Sequence, residues 1–184
     1  MNWKNYSHLR NTHAFLSPSR YHWLRYDSEK LITTYENYRK VKDGTRYHKL
    51  AEELISLSVR LPQISASLNS FVNDAIGFRM HPEVVLYYSD HCYGTADAIS
   101  FYKGILRIHD LKTGVSPASL DQLYIYAGLF FLDYNIDSRE VKKIVLRIYQ
   151  NEEVLEAQPT VSDIEHIVER IQEADKVLED LLGV

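Results

Sequence analysis

Apolar positions in the first half of the chain recur at helical spacing. The residues that carry this pattern are Leu50, Leu54, Leu57 and Leu61. Their three-to-four-residue intervals predict a helix from Thr45, with Gly44 before it and Pro62 ending it. A weaker helical stretch is predicted over residues 64–76, whereas residues 17–43 show no clean period and indicate short helical pieces joined by loops.

The pattern then changes to extended segments rich in Val, Ile, Leu and Tyr. The three runs are Glu83–Ser89, Gly94–Tyr102 and Ile105–Lys112. Lys103-Gly104 separates the last two runs and is typical of a tight hairpin turn. These segments therefore predict three strands in an antiparallel meander.

A helix and a fourth strand are predicted after the meander. Ser119 can cap a helix over Leu120–Leu132, whose apolar face is broad enough to lie across a sheet. The pattern of Val141–Tyr149 predicts a strand, and the intervening helix allows it to pair in parallel with an earlier strand.

The last segment predicts an acidic amphipathic helix over residues 160–182. Ser162-Asp163-Ile164-Glu165 has the pattern of a capping box. The apolar stripe comprises Ile164, Ile167, Ile171, Leu178 and Leu181. Packing against the sheet layer is its plain role, and contact with a partner helix is the alternative.

Together these elements predict an α/β protein of the α+β type, with a mixed sheet and the order helix, three strands, helix, strand. With 184 residues, 45% of them hydrophobic and 25% charged, the chain is expected to form one soluble globular domain over residues 1–184. Within that domain we predict an N-terminal extension (1–43), a core (44–150) and a C-terminal helix (160–182).

Two kinds of sequence feature restrict location and metal chemistry. No run of about 18 apolar residues occurs, and the first residues lack the apolar core of a signal peptide, so a cytoplasmic protein without membrane contact is expected. Cys92 is the single cysteine, which excludes an internal disulfide and a four-cysteine zinc or iron–sulfur site. A metal ion would therefore have oxygen or histidine ligands.

Charge is distributed unevenly along the chain. Residues 1–50 contain ten Lys/Arg and four Asp/Glu, whereas residues 150–184 contain two and ten. Aromatic residues accompany the basic charge: Tyr6, Tyr21, Trp23, Tyr26, Tyr35 and Tyr38. This combination can supply phosphate contacts and stacking surfaces for nucleic acid. Core aromatics beneath a solvated basic surface explain the same pattern equally well.

The meander brings chemically competent residues together. Asp97 lies in the second predicted strand and Asp110 ends the third, so their carboxylates are expected to be neighbours. Asp110 and Lys112 point to one side, while the main-chain carbonyl of Leu111 can reach the same ion. Two carboxylates suit Mg²⁺ or Mn²⁺. An adjacent lysine can orient water and stabilise developing negative charge, and phosphodiester hydrolysis requires both the metal ion and this stabilisation. By itself, however, Asp-x-Lys occurs by chance in many chains, usually as exposed charges at a strand end.

Four ordered motifs strengthen the first interpretation. They are Gly44-Thr45-Arg46-Tyr47-His48, Gly94-Thr95-Ala96-Asp97, Asp110-Leu111-Lys112 and Gln122-Leu123-Tyr124-Ile125-Tyr126. Over residues 44–150 the chain resembles the RecB-like branch of the PD-(D/E)XK nucleases, which includes DNA exonucleases of repair, CRISPR adaptation and phage. In that branch Gly-x-x-x-His, Gly-x-x-Asp, Asp/Glu-x-Lys and Gln-x-x-x-Tyr occur in this order.

The resemblance implies a restriction-endonuclease-like αβββαβ core and hydrolysis of single- or double-stranded DNA, with an exonuclease expected. It implies that His48, Asp97, Asp110 and the Leu111 carbonyl bind Mg²⁺ or Mn²⁺, that Lys112 acts with the two aspartates in catalysis, and that Gln122 and Tyr126 contact substrate or order the catalytic strand. A bacterial or phage-infected cell, a homo-oligomer, and a replication or recombination partner fit this class. Unlike several relatives, the chain has neither cluster cysteines nor a helicase phosphate loop.

Several alternatives stay open at this point. His48 can instead bond backbone at a helix start, and Gln122 with Tyr126 can be a surface pair one helical turn apart. Glu52 can join the ion or orient the imidazole, and Glu83 receives no role because its distance from the ion cannot be inferred. A non-catalytic module of the same fold that binds nucleic acid or protein is the alternative function.

Overall fold

The apolar segments form a five-stranded mixed sheet flanked by helices. The computed structural model describes residues 15–16, 18–114 and 117–182. The helices are α1 (Ser28–Ser56), α2 (Ser67–Gly77), α3 (Asp121–Asp133) and α4 (Val161–Leu182), with short 3-10 segments at Pro18–Arg25 and Ser138–Glu140. The strands are β1 (His81–Ser89), β2 (Cys92–Tyr102), β3 (Ile105–Leu111), β4 (Lys143–Gln150) and β5 (Glu153–Ala157).

Strand order in the sheet follows the chain from β1 to β5. All neighbouring pairs are antiparallel except β3 and β4, which pair in parallel with Asp110 opposite Ile148. Helix α3 connects these two parallel strands, as a crossover requires. The predicted mixed α/β class and the parallel return of the fourth strand are confirmed.

Two apolar clusters hold the sheet between its helices. The larger includes Leu106, Leu146 and Phe130, and joins the sheet to α3 and α4. The smaller includes Ala51 of α1 and Phe71 of α2, together with strand residues such as Leu111. The end of β3 is therefore anchored by packing, which determines where the next residues project.

The predicted hairpin turn between β2 and β3 is confirmed by its backbone conformation. Lys103 and Gly104 both have positive φ, 51° and 79°, as a two-residue turn of the primed type requires. A Cβ at position 104 would lie 2.6 Å from the Glu140 carbonyl oxygen, so glycine also permits the backbone at Glu140 to lie close to the turn.

Helix α1 differs from the predicted helix in extent and in orientation. It begins at Ser28 rather than Thr45, ends at Ser56 well before Pro62, and contains Gly44 in its interior. A single interior glycine costs about 1 kcal/mol relative to alanine, which a long helix tolerates. The buried side of its last part carries Ala51 and Ile55. Of the predicted leucine face, Leu54 and Leu61 pack against the smaller cluster, whereas Leu50 and Leu57 are exposed.

The strand β5 was not predicted from the sequence. It pairs with β4 through a turn at Asn151 and Glu152, both with positive φ, 50° and 66°. This turn contains no glycine and β5 has only five residues, so neither the usual turn signal nor a long alternating pattern marks it.

The capping box of α4 lies two residues earlier than predicted. Thr160 Oγ1 accepts a hydrogen bond from the Asp163 amide at 3.2 Å, and the Asp163 carboxylate accepts one from the Thr160 amide at 2.8 Å. The helix accordingly begins at Val161, and Ser162 lies inside its first turn. Among the described helices, none is long and apolar enough to cross a bilayer.

A boundary between Asp43 and Gly44 divides the chain into two compact units. In the first, the Phe15 ring lies 5.0 Å from that of Tyr35 and 5.4 Å from that of Tyr38. Of the predicted aromatic set, Tyr6 lies outside the described residues, as does the side chain of Tyr21. The nucleic-acid role of this segment, like the single-domain assignment, stays a prediction.

Candidate functional site

Three side chains that can bind a metal ion converge in the second unit. His48 of α1, Glu83 of β1 and Asp97 of β2 each offer one ligand atom, and these atoms all lie within 4.8 Å of one another. The His48 Nδ1 atom is 3.3 Å from Asp97 Oδ2. All three side chains are partly buried, so the cluster opens to solvent on one side.

Local packing explains how His48 reaches the sheet. His48 lies four residues after Gly44, on the same side of α1 as the buried Ala51. A Cβ at Gly44 would come within 2.7 Å of Thr113 Oγ1, which follows β3. Glycine at this position therefore lets α1 approach the chain just beyond Lys112, and His48 is carried towards Asp97.

Asp97 is anchored to the neighbouring strand. The Leu111 amide donates a hydrogen bond of 2.8 Å to Asp97 Oδ2, the same oxygen that faces His48. The described contact of Leu111 is therefore made through its N–H group. A metal contact of the Leu111 carbonyl stays a prediction.

Asp110 lies beside the three-residue cluster but is not a member of it. Its side chain is almost fully buried, and Lys112 Nζ donates a hydrogen bond of 3.1 Å to Oδ1. Oδ2 also lies 3.1 Å from Nζ, yet it accepts no hydrogen bond from the described residues. A buried carboxylate oxygen without a donor is costly, and a bound cation would offset that cost.

The predicted residues Lys112, Gln122 and Tyr126 are connected in a chain of hydrogen bonds. Lys112 Nζ donates to Gln122 Oε1 at 2.7 Å, and Gln122 Nε2 donates to the Tyr126 hydroxyl at 3.3 Å. The lysine ammonium is therefore held between the Asp110 carboxylate and the Gln122 amide. Gln122 and Tyr126 are thus a pair one helical turn apart, as the alternative interpretation describes, and Gln122 in addition bonds Lys112.

The charges of the site favour a cation. The hydrogen bond to Asp97 raises the pKa of His48, although burial opposes the shift. Burial, followed by the charge of Asp97, raises the pKa of Glu83 and of Asp110. Asp97 thus repels both Glu83 and Asp110, and a divalent cation beside it would relieve that repulsion.

Glu83 is the site residue to which the sequence interpretation gave no role. Its φ is 50°, a left-handed backbone conformation that is unusual for a residue other than glycine. In the pairing of β1 with β2, Pro82 lies opposite Ala98 and Val84 lies opposite Ala96, with Glu83 between these two pairs. Such backbone conformations cost roughly 1–3 kcal/mol and concentrate at functional sites. The sequence signal that pointed to it is its place as an acidic residue at the start of the first predicted strand.

Glu52 lies one helical turn after His48 but is not part of the cluster. Its charge contributes to the raised pKa of Glu83, and its own side chain is exposed. It therefore adds negative charge near the opening without a described ligand contact.

No model of a known protein family matches this chain, and no curated protein matches it either. Function must consequently be argued from the residues of the site.

Proposed function

We propose that the chain is a metal-dependent nuclease of the PD-(D/E)XK superfamily, in its RecB-like branch, that hydrolyses DNA phosphodiester bonds. The observation that carries this proposal is one arrangement: the His48–Glu83–Asp97 cluster beside an Asp110–Lys112–Gln122 chain. Sequence motifs far apart along the chain converge there, which isolated strand-end charges would not explain.

The ligand set fits Mg²⁺ or Mn²⁺. His48, Glu83 and Asp97 would hold the ion, and Asp110 would contribute Oδ2, the carboxylate oxygen that accepts no hydrogen bond from the described part of the chain. Carboxylate oxygens suit both ions, and an imidazole nitrogen favours Mn²⁺ over Mg²⁺. When bound, such an ion polarises a phosphate oxygen and lowers the pKa of a water molecule.

Lys112 is the proposed electrostatic stabiliser. Asp110 and Gln122 fix the position of its ammonium group, so it does not need to reorganise while negative charge develops on the phosphate. Tyr126 holds Gln122 from the next helical turn and is a positioning residue in this scheme.

A cleavage assay tests the proposal. With Mn²⁺ or Mg²⁺, the protein should shorten end-labelled linear DNA and leave closed circular DNA intact, as an exonuclease does. Lys112→Ala should lower the rate about 100- to 1,000-fold, the effect of losing one preorganised stabilising group. The matched control is Lys143→Ala, an exposed lysine that pairs with Ile105 at the opposite end of β3.

Two results would contradict the proposal. One is intact linear DNA, single- and double-stranded, after incubation with either ion. The other is equal cleavage by wild type and Lys112→Ala, which would assign the activity to a contaminant. Salt-dependent DNA binding that survives both Lys112→Ala and a chelator, without cleavage, would instead identify a binding module of the same fold.

A further inference from the structure

The main chain directly after β3 carries the lysine of the proposed site. Strand β3 ends at Leu111, and the Lys112 amide donates a hydrogen bond of 2.9 Å to the Tyr149 carbonyl oxygen of β4. This bond extends the parallel pairing of β3 with β4 by one residue beyond the strand. Thr113 and Gly114 are no longer part of the strand. The position of Lys112 therefore depends on what holds these next two residues.

The backbone of β4 turns away from β3 at this level of the sheet. Asn151 and Glu152 form the turn to β5, both with positive φ. The Glu152 amide donates a hydrogen bond of 2.9 Å to Ser67 Oγ of α2. Gln150 is the last residue of β4 before this turn, and its side chain is partly buried. The Gln150 side chain is therefore the next group of β4 that can reach the segment after Lys112.

The Gln150 side chain continues the contact between the two strands where the main-chain pairing ends. Its Nε2 atom donates a hydrogen bond of 2.6 Å to the Gly114 carbonyl oxygen. The acceptor belongs to the main chain, so this bond does not require glycine at position 114. On another side, Thr113 lies against α1, where Gly44 allows a close approach. Residues 112–114 are thus held between β4 and α1.

We infer that Gln150 is a positioning residue for Lys112, an assignment that rests on the proposed nuclease function. The Lys112 ammonium lies 3.1 Å from Asp110 Oδ1 and 2.7 Å from Gln122 Oε1. Both contacts depend on where the Lys112 backbone lies, because the side chain starts from it. Misplacement of a catalytic group by about 1 Å can lower a rate about 100-fold. Gln150 acts on the lysine through the main chain at Gly114, and the site therefore extends to the end of β4.

Gln150→Met in the full chain tests the assignment, because methionine has a similar size and no N–H donor in its side chain. The Lys112 amide should exchange its hydrogen about 3- to 10-fold faster, the range expected for loss of one hydrogen bond. With Mn²⁺ and linear DNA, kcat should fall about 10-fold while KM stays at the wild-type value, because an interaction realised in the transition state is weakened. Gln158→Met is the matched control. Gln158 Nε2 donates a hydrogen bond to the Glu156 carboxylate of β5, and its loss should change neither measurement.

Gln150→Lys separates loss of the hydrogen bond from a general loss of stability. The lysine ammonium can donate to the Gly114 carbonyl oxygen, so kcat and the exchange rate of the Lys112 amide should both return towards wild type. Unchanged kcat in Gln150→Met, or no recovery in Gln150→Lys, would overturn the inference and leave the proposed function intact. A wild type that cuts no DNA would overturn the proposed function instead. The exchange rate of the Lys112 amide would then still decide whether Gln150 holds this segment.

Discussion

The Tyr126 ring lies directly against Gly94, so that a Cβ at position 94 would come within 2.9 Å of the ring carbon Cε1. Tyr126 is the last residue of the hydrogen-bond chain that runs through Gln122 to Lys112. Packing therefore explains the glycine three residues before Asp97, because it leaves space for the Tyr126 side chain, which positions Lys112 through Gln122.

Gly94→Ala should displace the Tyr126 ring and disturb Gln122. We expect DNA cleavage to fall by about 10-fold or more and stability to fall by about 1–3 kcal/mol, the usual cost of overpacking. The control is Gly114→Ala, where an added Cβ meets no atom of the described residues within 4 Å. Cleavage rates and urea unfolding of both variants check this. Full activity in Gly94→Ala would mean that the Tyr126 contact does not position Lys112.

Binding of a metal ion should be visible without any DNA. Mn²⁺ at 100 times its dissociation constant should stabilise the folded chain by about 2.7 kcal/mol. Glu83→Gln and His48→Ala should reduce this gain, because the first replaces a carboxylate of the cluster with a neutral amide and the second removes the imidazole. Glu53→Gln, at an exposed position on α1, should not. Thermal unfolding with and without Mn²⁺ measures the effect, and an equal gain in all four proteins would place the ion elsewhere.

Asp110→Asn should stabilise the metal-free protein at neutral pH while reducing cleavage. Burial raises the pKa of Asp110, so the folded state favours the protonated carboxyl, and ionisation at higher pH opposes folding. Removing the charge should raise the melting temperature at pH 7, because the burial that raises the pKa outweighs the ion pair with Lys112. The gain should disappear as the pH falls below the carboxyl's ordinary pKa of about 4, where the unfolded chain is protonated too. Asp180→Asn, at an exposed position, should show no gain; a lower melting temperature for Asp110→Asn at pH 7 would count against this account.

His109 should make the protein sensitive to mild acid. It is fully buried, its Nδ1 lies 3.1 Å from the Tyr149 hydroxyl, and burial lowers its pKa to about 3. Below the unfolded-state pKa of about 6.5, the histidine binds a proton in the unfolded chain but not in the folded chain. Stability should therefore decline from pH 6.5 towards pH 3, by up to about 1.4 kcal/mol per pH unit.

Comparing wild type with His109→Leu isolates this contribution. Whatever the effect of the substitution at pH 7.5, the variant should lose less stability than wild type between pH 6.5 and 4.5. His91→Leu, at an exposed position, is the control and should retain the wild-type slope. Parallel pH profiles of wild type and His109→Leu would assign the acid sensitivity to other groups.

Much of the sheet was determined by the sequence itself. Alternating apolar runs and the Lys103-Gly104 turn are local signals, so β1, β2 and β3 and the positions of Asp97 and Asp110 on them could be predicted. The chain order also predicted the parallel return of β4, because an intervening helix permits a crossover. The neighbouring strands that bear the two aspartates follow from these signals alone.

Only the tertiary structure decided which side of α1 packs inward and which acidic residue joins the cluster. Of the leucines that set the predicted helical period in α1, Leu50 and Leu57 are exposed, whereas Leu54 is partly buried against the smaller cluster. The side with Gly44 and Ala51 packs instead, because small residues allow the close approach to Thr113 that brings His48 to Asp97. Glu83 joins them through a left-handed backbone conformation that no local pattern indicates. Hydrophobic periodicity indicates that a helix has an apolar side, whereas close packing determines which side of the helix contacts the sheet.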